Sequence, residues 1–288
     1  MVRRKYSRKQ TNYTYLKTVL VIVIGLLLAD FKSNTFSMWF DNLNTNSSYS
    51  KAISSSTSSS ENTATTNDNQ LANLNYKSGE SAVVEVNNNK STLNVATWKT
   101  NKVVYGNLDS LNRTANGATA YLEARNVAND SLRTTQYVKP TGWHQKVYNG
   151  EAIINRGHLI AYSLSKGIDK SGSYDISQES GDQNNLKNLF TQTAFSNQEI
   201  QTIYETKVRN SLKSGHKIIY QVTPIFRNQE LMARGVHIQA ISTDGSLNFN
   251  VYIYNVEPNF LFNYSDGTST IDRSMKVPEP ADAPHFNN

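Results

Sequence analysis

Arg156-Gly157-His158 and the carboxamide-rich run from Asn184 to Gln198 hold the residue types best suited to chemistry in this chain. A neutral imidazole near pH 7 can take a proton from water, and His158 supplies one. Arg156 can grip a phosphate through two parallel hydrogen bonds. Gly157 lets backbone or ligand come close. Asn197 offers an amide oxygen to a hard cation. Mg2+ keeps most of its waters, so one or two protein oxygens can hold it. Glu205 and Arg209 lie eight and twelve residues after Asn197. On a helix, four-residue steps advance the face by only about 40°, so Asn197, Gln201, Glu205 and Arg209 form one polar stripe. That stripe is either a solvated ion-pair face worth about 0.3–0.5 kcal/mol, or a cleft wall bearing a metal ligand, a carboxylate to hold water and a phosphate-binding cation. Asn197 has its own plain alternative, since asparagine is more often a helix cap. A base, a cation and metal-seeking oxygens are the parts of a metal-assisted phosphodiesterase.

These residues need elements to position them. The apolar run 152–154 reads as a short strand delivering His158. Ser196-Asn197-Gln198-Glu199 fits a capping box that starts a helix. Ile200, Tyr204, Val208 and Leu212 give that helix a core stripe as far as Lys213, and Gly215 stops it. Between strand and helix, residues 166–188 are rich in Gly, Ser, Asp and Asn, a composition that marks a functional or disordered loop. Further strands are expected over 81–86, 102–105, 118–125, 217–223, 236–241 and 247–253, the last pair joined through Asp244-Gly245.

The chain has 288 residues, no cysteine and a formal charge of +6. The missing cysteine excludes disulfides and thiolate metal sites. Six of the 29 Lys and Arg fall in residues 1–17, which hold no acid, and the remaining 23 match the 23 Asp and Glu. Global charge therefore does not argue for a nucleic-acid partner. A local excess does: Arg133, Lys139, Lys146, Arg156, Lys166 and Lys170 face only Glu151 and Asp169 over residues 133–170.

The basic flank (1–17) precedes an apolar run (18–29) ended by Asp30 and Lys32, and residues 18–40 read as a signal peptide or uncleaved signal anchor sending the rest across a membrane. Residues 41–75 are Ser-, Thr- and Asn-rich and read as a disordered tether. A folded domain is expected over 76–275, then a loose tail over 276–288. This places the domain on the extracellular face of a bacterial cell membrane, or secreted.

The Arg-Gly-His, the Asn188…Asn197-Gln198 segment, and Glu205 and Arg209 at their offsets together resemble the DNA/RNA non-specific endonucleases of the ββα-metal (His-Me finger) superfamily. The likeness is to streptococcal-type membrane-anchored or secreted DNases. It extends over roughly residues 100–260 and includes Tyr105-Gly-Asn-Leu-Asp-Ser-Leu111 and Pro140-Thr-Gly-Trp-His144. It implies an α+β fold: a ββα-metal core with a central, mostly antiparallel sheet flanked by helices. It implies Mg2+ as cofactor, with Mn2+ as a substitute, held by Asn197. His158 would be the general base. Asn188, Glu205, Arg209 and Arg156 would support water, phosphate and transition-state charge, and products would carry 5′-phosphates. The substrate would be DNA, with RNA as a second polymer, cut with little sequence preference; no obligate protein partner is evident. The family usually has Asp where this chain has Asn155, which removes a carboxylate near His158. The competing reading is a non-catalytic, surface-tethered DNA-binding or adhesion module.

Overall fold

The computed structural model describes residues 68–128, 134–181 and 183–283. Residues 18–40 lie outside them, and among the described residues no helix is long and apolar enough to cross a membrane. The described chain opens with helix α1 (Asp68–Ala72), inside the stretch expected to be tether; it buries Leu71 and sets Asp68 Oδ1 2.8 Å from His237 Nδ1.

The strands in chain order are β1 (Val83–Glu85), β2 (Lys102–Tyr105), β3 (Ala118–Leu122), β4 (Val147–Tyr148), β5 (Glu151–Ala152), β6 (Ile154–His158), β7 (Leu189–Thr193), β8 (Ile218–Ile225), β9 (Gly235–Ser242), β10 (Asn248–Tyr254), β11 (Phe260–Asn263) and β12 (Thr268–Ile271). Six of them form an antiparallel sheet in the order β1-β10-β9-β8-β3-β2. This matches the expected α+β class with a central antiparallel sheet. Strand β8 is rich in β-branched residues and almost wholly buried, as suits a sheet centre. Strand β3 ends at Leu122, three residues short of expectation, because Glu123 and Asn126 form a reciprocal cap around a 3-10 turn.

The site rests on a smaller unit beside this sheet. Strands β6 and β7 pair antiparallel, with Gly157 opposite Phe190 and His158 opposite Leu189. Strand β7 is absent from the sequence reading. Its segment Leu-Phe-Thr-Gln-Thr is buried at every position, and each polar side chain finds an internal partner. Thr191 Oγ1 donates to the Thr141 carbonyl at 2.8 Å, and Thr193 Oγ1 to the Val256 carbonyl at 2.7 Å.

The helix after β7 also differs from expectation at its start. Ser196 is no N-cap, because Phe195 already has helical φ and ψ and residues Ser196–Gln201 form a π-helical turn. Thr193 takes the capping role, its Oγ1 accepting from the Ser196 amide at 3.1 Å. Helix α2 (Thr202–Lys213) follows. Ile200, Val208 and Leu212 are buried as predicted, and the Tyr204 ring packs 5.2 Å from that of Phe249 on β10. Gly215 ends the helix with φ +89°. The C-terminal residues keep contact with the domain, and Val277 and Ala283 are both buried.

Candidate active site

A cleft of about 1560 Å³ runs across the face formed by β6, the loop before it and the helix after β7. His158 stands at the C-terminal end of β6 and is 9 % exposed. Its Nε2 lies 3.0 Å from the Gln183 carbonyl and 3.5 Å from the Gln136 amide nitrogen. A carbonyl can only accept, so Nε2 is the donor in the shorter contact. Loop 166–188 thus has a role after all: it supplies the backbone oxygen that orients His158. Asn155, where the family usually has a carboxylate, lines the cleft three residues away.

Arg156 also lines the cleft. Its Nε donates to the Val138 carbonyl, and its guanidinium lies 4.5 Å from the Trp143 ring centre. Stacking and hydrogen bonding fix the plane of the fork, which lowers the entropy lost on gripping an oxyanion. Gly157 is needed for the strand pairing. A Cβ there would sit 2.3 Å from Gln192 Oε1 and 2.7 Å from Gln192 Cβ.

The helical stripe reaches the same cleft. Asn197, Glu205 and Arg209 line it. Gln201 lies beneath, fully buried, and joins three elements. It donates to the His158 carbonyl at 2.9 Å and to Glu205 Oε1 at 2.8 Å, and accepts from Gln192 Nε2 at 3.0 Å. Burial pushes the Glu205 carboxyl up, against the hydrogen bond from Gln201 and the charge of Arg209. Arg209 donates to two neutral hydroxyls, Ser163 Oγ at 3.1 Å and Thr206 Oγ1 at 2.7 Å, and its charge acts on the Glu205 carboxyl. At the other end of the cleft Glu257 accepts from the Phe195 amide at 2.8 Å. Its carboxyl is pushed up to about 8, first by burial and further by the charges of Glu151 and Glu199.

Asn188 is not brought to the cleft. It is fully buried, its Oδ1 accepting from the Ile160 amide at 2.9 Å and its Nδ2 donating to the Ile160 carbonyl at 3.0 Å. Those two bonds tie the start of β7 to the chain leaving His158, so Asn188 shapes the site from behind. Its expected contact with water or phosphate has no geometry to support it.

The donor chemistry fits a hard, hydrated cation. The Asn197 side chain lines the cleft and makes no hydrogen bond with the described residues, while its backbone carbonyl accepts from Thr202 Oγ1 at 3.1 Å. Among the described residues no group of three or more His, Cys, Asp or Glu could hold a metal.

Gln183, Gln136, Trp143, Gln192 and Glu257 add to the site without having been picked out for it. Trp143 and Gln201 carried a signal, the one as an aromatic in a turn and the other as a member of the polar stripe. The Gln183 carbonyl carried none, because any residue type offers one.

Residues 91–244 match the family model described as DNA/RNA non-specific endonuclease. Among solved structures, that of NucA from Streptococcus agalactiae with magnesium ion bound is 30% identical, with a TM-score of 0.59, over 71% of this chain and 95% of that one. The same nuclease with no metal bound gives 30% identity and a TM-score of 0.57, over 71% and 94%. Fold, site geometry and both comparisons agree: the chain belongs to the DNA/RNA non-specific endonuclease family, and is a nucleic-acid hydrolase.

Proposed function

We propose that the protein hydrolyses phosphodiester bonds of DNA, and of RNA as a second substrate, with His158 as general base and Mg2+ as cofactor. The observation that carries this reading is His158, its Nε2 held on the Gln183 carbonyl, in a cleft shared with Arg156, Asn197, Glu205 and Arg209. The His158 imidazole takes a proton from water. Arg156, its plane set by Trp143, binds the scissile phosphate, and Arg209 offsets the charge that grows on it. Asn197 would hold the cation through its amide oxygen, and Glu205, positioned by Gln201, orders water around it. When bound, Mg2+ stabilises negative charge on the phosphate and on the departing 3′ oxygen. The products carry 5′-phosphates. Asn188 acts by holding β7 against the chain after His158.

The N-terminal segment 18–40 is read as a signal anchor or cleaved signal that places the domain outside the cell; NucA-like activity in the medium or in the membrane fraction tells the two apart. Binding through the backbone of the nucleic acid makes activity fall steeply with salt. A plasmid-nicking assay tests the whole reading. The protein should nick with Mg2+ and stop with chelator, and His158→Ala should lose about 10²–10⁴-fold in rate. A His158→Ala protein that nicks at the parental rate would overturn it.

A further inference from the structure

The cleft has a basic end that the mechanism above does not use. Lys213, the last residue of α2, follows Arg209 by one turn, as Arg209 follows Glu205. Each step advances about 6 Å along the helix. Lys166 lines the same cleft. Its backbone is fixed by two bonds, its amide donating to the Asn126 carbonyl at 3.1 Å and its carbonyl accepting from Asn126 Nδ2 at 3.0 Å. Among the described residues, neither ammonium lies within 4.0 Å of a carboxylate. The far end of the cleft carries Glu151 and Glu199, close enough to Glu257 that their charges act on its carboxyl. The cleft therefore has an electrostatic direction, and a polyanion entering it is drawn along one side only.

We propose that Lys166 and Lys213 form a subsite for a second, non-scissile phosphate, and that the bound strand leaves the catalytic centre along α2 towards Lys213 and away from Glu257. This rests on the reading that the scissile phosphate sits between His158, Arg156 and Arg209. The ligand class is a polynucleotide with at least two phosphates, so a substrate with one phosphodiester does not reach the lysines. The plain alternative is that Lys213 only offsets the helix dipole at the C-terminal end of α2, worth about 0.3–1 kcal/mol, and that Lys166 is solvated.

The test uses the full chain and its Lys166→Gln and Lys213→Gln variants. The probes are a single-stranded DNA 20-mer and a chromogenic one-phosphate diester. Binding of the 20-mer is also read by fluorescence anisotropy with chelator present. Each variant should weaken 20-mer binding about three- to tenfold near physiological salt. Each should also make the log Kd against log salt plot shallower by about 0.7. KM for the 20-mer should rise in step with kcat near parental, and KM for the diester should stay put. Unchanged 20-mer Kd and salt slope would overturn the subsite. So would an equal rise in KM for the diester, which would move the lysines to the scissile phosphate. A lower melting temperature for Lys213→Gln with unchanged Kd would assign that lysine to the helix dipole and overturn its part. If the parental protein cut neither probe, the catalytic reading would fail, while the anisotropy measurements would still decide the subsite.

Discussion

Gln201 shows how one side chain can tie the parts of this site together. Its amide nitrogen spends one proton on the His158 carbonyl and the other on Glu205, while its oxygen takes a proton from Gln192. Strand β6, strand β7 and the helical wall meet on a residue that no solvent reaches. Gln201→Ala leaves the His158 carbonyl and one Glu205 oxygen short of a donor, and each buried group left unsatisfied costs about 1–3 kcal/mol. Because these are the groups that set His158 and Glu205, the loss should appear in kcat, by roughly ten- to a hundredfold, with KM close to parental. Steady-state kinetics beside a melting curve check this. A lower melting temperature with unchanged kcat would make Gln201 a packing residue only. Gln192 is a less comfortable neighbour: its Oε1 is buried with no hydrogen-bond partner among the described residues.

The elements show a consistent split between what pattern reveals and what it hides. Strands β8, β9 and β10 and the core stripe of α2 were legible, because burial alone selects their apolar residues. The polar stripe was legible in part: Glu205 and Arg209 on α2 line the cleft, and Asn197 lines it from the π-helical turn before α2, where α-helical spacing does not apply. Strand β7 was hidden because its threonines bond inward, to partners 50 and 63 residues away that no local window contains. The π-helical turn was hidden too. Ser196-Asn197-Gln198-Glu199 has the composition of a capping box, but the Thr193 hydroxyl starts the helix earlier, and Ser196 instead accepts from Gln192 Nε2 at 3.0 Å. Asn188 and Asn197 look alike in sequence, and only the fold tells the buried staple from the cleft-lining oxygen. The β6–β7 pairing itself makes a test. A methyl group at Gly157 meets the Gln192 side chain and also lies 2.9 Å from the Phe190 ring, all within a buried layer. Gly157→Ala should lower stability by about 1–3 kcal/mol, the usual cost of overpacking. The urea midpoint reports it, and an unmoved midpoint would show that β7 can step aside at little cost.

Across the whole molecule, charge is arranged by region. The surplus of positive charge belongs to residues 1–17, and the remainder balances, so the fields that matter are local: a basic end of the cleft at Lys166 and Lys213, and an acidic end at Glu151 and Glu199, next to Glu257. The acidic end makes stability depend on pH. Burial, then Glu151 and Glu199, push the Glu257 carboxyl from an ordinary 4.5 to about 8, and the Phe195 amide offsets only part of this. Below about pH 4.5 the folded and unfolded chains both hold the proton, and Glu257 contributes no pH dependence. Between about 4.5 and 8 only the folded chain holds it, so the stability associated with this raised carboxyl is lost as pH rises. The slope can reach about 1.4 kcal/mol per pH unit, and it levels off above about pH 8. Glu257→Gln keeps an oxygen for the Phe195 amide and removes the titration. Comparing urea midpoints of the two proteins at several pH values cancels every other group that titrates alike in both. The variant should gain on the parent steadily from about pH 5 to 8. A constant difference over that range would mean that water or a cation at the acidic end already relieves the buried carboxylate.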